Sequence, residues 1–194
     1  MVQTGKIHRP DGAIISCDVQ GDATLPVLLL SNSLATTRAL WNDVLPELLK
    51  EFRVIRYDTR GHGESQTPNG NASLGDLAND VVAVLDEFKI DRALMVGISL
   101  GGMTALEMAV HHAHRLTGIV ACNCRDFVDD AGKAAWEDRI GITQKGGMSA
   151  IASVTIARWF TDDFRLSNPP LMQRVADMIN ATHPLGFEAC ARAI

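Results

Sequence analysis

Long apolar runs are missing from this chain. The all-aliphatic run Val27-Leu28-Leu29-Leu30 is far short of the roughly 18 residues a membrane-spanning helix needs. Excess positive charge is missing too. Lys and Arg number 18 against 23 Asp and Glu, for a net charge of -5. The basic residues are scattered singly, which argues against nucleic acid or an anionic membrane surface as a partner. Cysteine is scarce, with only Cys17, Cys122, Cys124 and Cys190. Cys122-Asn123-Cys124 has neither zinc nor thioredoxin spacing. At the end of an apolar run these thiols read as small hydrophobes, so no metal is expected. The segment Met1-Val2-Gln3-Thr4-Gly5-Lys6 lacks the apolar core of a signal peptide, which predicts a cytoplasmic protein. Disorder is excluded by a hydrophobic share of 46%, enough to build one ordinary core from 194 residues.

What is present alternates. Residues 5–9 and 13–19 read as strands joined by a Pro10-Asp11-Gly12 turn. Residues 27–30 form an apolar run suited to a strand buried on both faces. A helix is expected at 40–49, then a strand at 53–57. Leu74, Leu77, Val81, Val84, Leu85 and Phe88 recur at the helical period over 74–88, with Ser73 and Asp76 placed for a capping box. Residues 93–98 and 118–122 read as strands on either side of a helix at 100–112. Strand, helix, strand, helix, strand predicts an α/β fold with a mostly parallel, doubly wound sheet. After about residue 125 only helical patterns remain, at 131–145, 148–159, 170–180 and 186–194. The expected division is a core over 1–125 and a helical cap over 126–194.

The chemistry concentrates at Gly97-Ile98-Ser99-Leu100-Gly101. This fits G-x-S-x-G, and it lies between a strand pattern and a helix pattern, the context that motif requires. Gly97 and Gly101 remove side chains that a sharp turn would not tolerate. Ser99 would then stand at the C-terminal edge of the sheet, at the positive end of a helix. The Leu100 backbone N–H is the first expected oxyanion donor. Ser31-Asn32-Ser33-Leu34 follows the apolar strand, where a second donor would come from Leu34 N–H, with Asn32 or Ser33 orienting the loop. Asp58-Thr59-Arg60-Gly61-His62-Gly63-Glu64-Ser65 reads as a structural turn. His62 is assigned to that turn rather than to catalysis. Met103 and Met108 read as core filling.

These segments resemble the α/β-hydrolase superfamily. Within it they are most similar to the 3-oxoadipate enol-lactonases. The resemblance rests on LLLSNSLATTRALWNDVLPEL (28–48), RVIRYDTRGHGES (53–65), GISLGGMTAL (97–106) and ARWFTDDF (157–164). It implies an α/β-hydrolase fold with a helical cap. It also implies that Ser99 is the nucleophile, that Leu34 and Leu100 form the oxyanion hole, and that no cofactor is used. The implied substrate is a small lactone or ester carrying a carboxylate. Arg139, in the first cap helix, is the first candidate to bind that carboxylate, and Arg38, beyond the oxyanion loop, is the second. Trp159 is a candidate pocket wall and Ser33 a further pocket residue.

The pattern departs from the family in one respect. After Ser99 the histidines are His111, His112, His114 and His183. The first three lie at the far end of the elbow helix, roughly 18 Å from Ser99 at 1.5 Å per residue. His183 lies in the helical region. The acid and the base are therefore expected outside these residues, on C-terminal strands that the chain lacks. That expectation makes the 194-residue chain a truncated, cleaved or split form, inactive alone. The alternatives are a carboxylesterase, an acyl-homoserine lactonase, a perhydrolase or a carbon–carbon bond hydrolase on the same scaffold, or a non-catalytic fragment. Oligomeric state is left open.

Overall fold

The computed structural model describes residues 2–67 and 70–194, so Met1 of the N-terminal segment lies outside the described residues. One six-stranded sheet has the order β1-β2-β4-β3-β5-β6. Its strands are β1 (Val2–His8), β2 (Ile14–Gln20), β3 (Val27–Ser31), β4 (Arg53–Tyr57), β5 (Ala93–Ile98) and β6 (Leu116–Cys122). β2 pairs antiparallel with β1 and β4, while β3 pairs parallel with β4 and β5, and β5 with β6. The sheet is thus mixed, with β2 alone running against the rest. The expected hairpin turn closes with Arg9 N–H donating to the Ala13 carbonyl at 2.8 Å, and Gly12 takes a φ of 91° there.

The apolar β3 run serves both faces of the sheet. Leu29 packs with Ile15, Ile55, Met95 and Met108 on one side. Leu28 and Leu30 pack with Val54 on the other. Met103 is buried as well. Helix α2 (Leu74–Glu87) carries the expected capping box: Ser73 Oγ accepts from Asp76 N–H, and Asp76 accepts from Ser73 N–H. Such a cap contributes on the order of 1 kcal/mol. The helix buries Leu77, Val81, Val84 and Leu85.

Two local expectations are corrected. The helix expected at 40–49 is a 3-10 turn over Arg38–Trp41 followed by the short α1 (Leu45–Leu48). Pro46 explains the break, because it has no N–H to donate back to residue 42 and fits only at a helix start. Between 159 and 170, where no element was expected, lies α6 (Asp162–Ser167), with Thr161 Oγ1 accepting from Phe164 N–H as its cap. The other helices stand within three residues of expectation: α3 (Leu100–His111), α4 (Asp130–Gly146), α5 (Ser149–Trp159), α7 (Pro169–Asn180) and α8 (Pro184–Ala191).

The helices after β6 pack over the C-terminal edge of the sheet. Ile140, Ile151, Ile156, Ile179 and Phe187 share a buried cluster with Leu34, Leu77 and Leu100. Helix α8 is fastened most closely. A Cβ on Gly186 would stand 2.1 Å from the Gly61 carbonyl oxygen. Cys190 Sγ donates to the Arg60 carbonyl at 3.4 Å. Among the described residues no helix is long and apolar enough to cross a membrane.

Candidate active site

Ser99 sits between β5 and α3 with φ 55° and ψ -116°. A non-glycine residue in that region costs about 1–3 kcal/mol and persists only when its surroundings fix it. The surroundings do so. Ser99 N–H donates to the Cys122 carbonyl at 2.9 Å, Gly101 N–H to the Asn32 carbonyl at 3.0 Å, and Met103 N–H to the Ser99 carbonyl at 3.0 Å. A Cβ on Gly97 would lie 2.1 Å from the Gly101 carbonyl oxygen, and one on Gly101 would lie 2.3 Å from that of Ser31. The glycines of the motif are therefore required by backbone-on-backbone approach. The Ser99 hydroxyl does not cap its own helix. It faces a cavity of about 80 Å³.

The loop after β3 forms one wall of that cavity. Asn32 is fully buried. Its Nδ2 donates to the Tyr57 carbonyl at 2.7 Å, and its Oδ1 accepts from Trp41 Nε1 at 2.7 Å. The Ser33 carbonyl accepts from Thr36 N–H and Thr36 Oγ1. Ala35 takes φ 61°, and its N–H donates to His62 Nε2 at 3.1 Å. His62 Nδ1 stands 3.0 Å from the Arg60 carbonyl, so this nitrogen carries the proton and Nε2 is the acceptor. Burial holds the His62 pKa down at about 4, against the opposing pull of the Arg60 bond. The imidazole is thus a neutral strut under the loop, matching the structural role read from its sequence position. Among the described residues, neither Leu34 N–H nor Leu100 N–H donates within the protein. Leu34 lines the cavity together with Ser99, and Leu100 is the first residue of α3, directly after Ser99.

The structure brings Ser33, Leu34, Ser99, Arg139 and Trp159 to one cavity. Arg38 is not among its lining residues. The Arg38 guanidinium binds Asp18 at 3.3 Å, Asp58 at 3.2 Å and Glu64 at 2.8 Å, and donates to Ser16 Oγ at 2.9 Å. Three carboxylates already hold it, and this corrects its expected role in substrate binding. Burial pushes the Asp58 carboxyl up, opposed by its bonds from the Arg38 and Glu64 backbone N–H groups and by the Arg38 charge.

Sequence reading missed several lining residues: Trp136, Ile151, Thr155, Arg158 and Phe187. They come from three cap helices; Ile151, Thr155 and Arg158 share one face of α5 at i, i+4, i+7, but no spacing ties that face to Trp136 in α4 or Phe187 in α8. Arg139 stacks on Trp136, with Cζ 4.4 Å from the ring centroid. Among the described residues no histidine and no carboxylate lines the cavity. His183 lies elsewhere, capping α8 through Nδ1, which accepts from Leu185 N–H.

A serine elbow at the C-terminal edge of a largely parallel sheet, under a layer of helices, defines the α/β-hydrolase class. The chain belongs to the alpha/beta hydrolase fold family, whose model matches residues 26–140. It is 33% identical over 174 residues to 3-oxoadipate enol-lactonase 2 of Acinetobacter baylyi, covering 90% of this chain and 64% of that protein. The chain thus spans somewhat less than two thirds of that relative's length. The crystal structure of the enol-lactonase from Burkholderia xenovorans LB400 superposes with a TM-score of 0.92 at 32% identity, covering 98% of this chain and 73% of that one. A thermophilic esterase from Thermogutta terrifontis, solved with malate bound, superposes with a TM-score of 0.88 at 28% identity, covering 98% and 71%.

Proposed function

We propose that the protein is a serine hydrolase that opens the lactone ring of 3-oxoadipate enol-lactone to give 3-oxoadipate. The observation that carries this reading is the strained Ser99, which lines one cavity with Leu34 and the cation Arg139, while the Leu34 and Leu100 N–H groups find no acceptor among the described residues. Ser99 Oγ attacks the lactone carbonyl and loses its proton to a general base. The residues lining the cavity do not supply that base, and the family resemblance implies a histidine held by an acid. Leu34 and Leu100 N–H hold the tetrahedral oxyanion. Loss of one such donor costs about 10²-fold or more in rate. The ring C–O bond breaks, and the enol oxygen leaves with a proton and tautomerises to the ketone. Water then attacks the acyl-serine and releases the new carboxylate. Arg139 binds the carboxylate already present on the substrate, against the walls formed by Trp136 and Trp159.

The enol-lactonase relatives favour the lactone. The malate-bound esterase favours a second reading, a carboxylesterase for small acids. Both predict loss of hydrolysis in Ser99→Ala. The test offers the enol-lactone and a short-chain neutral aryl ester to the full-length gene product. Efficient lactone turnover that disappears in Ser99→Ala supports the first reading. Preference for the aryl ester overturns it in favour of the second.

A further inference from the structure

We propose that Arg158 is the second arm of a two-guanidinium clamp that, with Arg139, seats the free carboxylate of a short dicarboxylic acid ester or lactone. The inference deepens the proposed function and rests on it for the reaction at Ser99. Arg139 comes from α4 and Arg158 from α5, and both line the cavity that holds Ser99. Neither makes an ion pair among the described residues. By contrast, Arg9, Arg38, Arg56, Arg60 and Arg192 each hold a carboxylate. The chain is acidic overall, so partners were not scarce, yet none is placed here.

The two cations feel each other. Burial first, and the Arg158 charge second, lower the pKa of Arg139. Like charges facing one partly enclosed space repel, and an anion between them removes that cost. Trp136 under Arg139 fixes the plane of one fork, while the exposed Arg158 can swing to complete the grip. Two planar forks match the oxygens of one carboxylate better than a single lysine-like charge would. Ser99, which lines the same cavity, then reads the acyl carbonyl of the same molecule. Hydrolysis leaves a dianion, so a linear dicarboxylate without any ester should bind as a product mimic.

The test uses that property and needs no turnover. Adipate and its neutral diamide are titrated into Ser99→Ala protein, with tryptophan fluorescence and calorimetry as readouts. Adipate is expected to bind and the diamide to bind far more weakly. Arg158→Gln should weaken adipate about tenfold, Arg139→Gln at least as much, and Arg158→Lys distinctly less than Arg158→Gln. Because Arg158 is exposed, its thermal melt should match the parent. Adipate affinity within twofold of the parent in Arg158→Gln overturns the clamp, as does equal binding of the diamide. Failure of lactone hydrolysis with the clamp intact would sink the proposed reaction alone. Lactone hydrolysis with an indifferent Arg158 would sink the clamp alone.

Discussion

His62 Nε2 accepts the Ala35 backbone N–H at 3.1 Å, one residue past Leu34, which lines the cavity with Ser99. The bond exists only while the imidazole is neutral. Its pKa of about 4 lies below the ordinary 6.5, so the unfolded chain binds the proton more readily. Stability is therefore full above about pH 6.5 and falls as pH drops toward 4, by roughly 3 kcal/mol for this group alone. Thermal melts across that range should show the slope, and His62→Gln should flatten it. An unchanged slope in the variant would assign the acid sensitivity elsewhere.

Arg38 makes the opposite kind of prediction from Arg139. Arg38→Met strands the buried Asp58 and strips one cation from Asp18, which keeps Arg56 at 3.1 Å. Removing one partner of a buried pair costs about 3 kcal/mol. The melting temperature should fall, while adipate affinity measured well below the melt stays near that of the parent. Weakened adipate binding without loss of stability would return Arg38 to the substrate.

Arg139→Ala should raise KM for a carboxylated lactone and spare a neutral ester, because only the first presents an anion to the guanidinium. Steady-state kinetics on both substrates separate the outcomes. An equal rise on both would mean that Arg139 merely props the cap.

Gly97→Ala is expected to cost more than about 3 kcal/mol. Its Cβ would meet backbone, which cannot rotate away as a side chain could. Gly141→Ala is the matched control on α4, since a Cβ there meets nothing within 4 Å, and helix propensity makes it neutral or slightly stabilising. Chemical denaturation of the two variants reads the difference.

The elements legible in the sequence were those whose signals are local. The Ser73–Asp76 box, the Leu74-to-Phe88 period and the all-apolar β3 each announce themselves within a few residues. The elbow was legible because its residues fall in one pentapeptide between a strand pattern and a helix pattern, although Gly101 answers to the distant Ser31 carbonyl. Arg38 was misread because its partners are distant in sequence, Asp18 in β2 and Asp58 and Glu64 in the turn after β4. Trp136, Arg158 and Phe187 were missed for the same reason: a cavity wall assembled from three helices leaves no spacing to read. The helix expected at 40–49 failed at Pro46, a breaker that is itself local and present in the sequence.

The contact of Gly186 with Gly61 has a bearing on how such a protein could be re-tailored. Backbone touches backbone at that point, and the turn containing Gly61 also carries His62, which accepts the Ala35 N–H of the loop after β3. Helix α8 is therefore a pinned end, and any insertion or redesign that shifts it would be felt at Ser99. Among the described residues no glycine of α4 or α5 meets backbone in this way. New acyl specificities can be sought by exchanging their cavity-facing residues, with α8 left as the fixed reference.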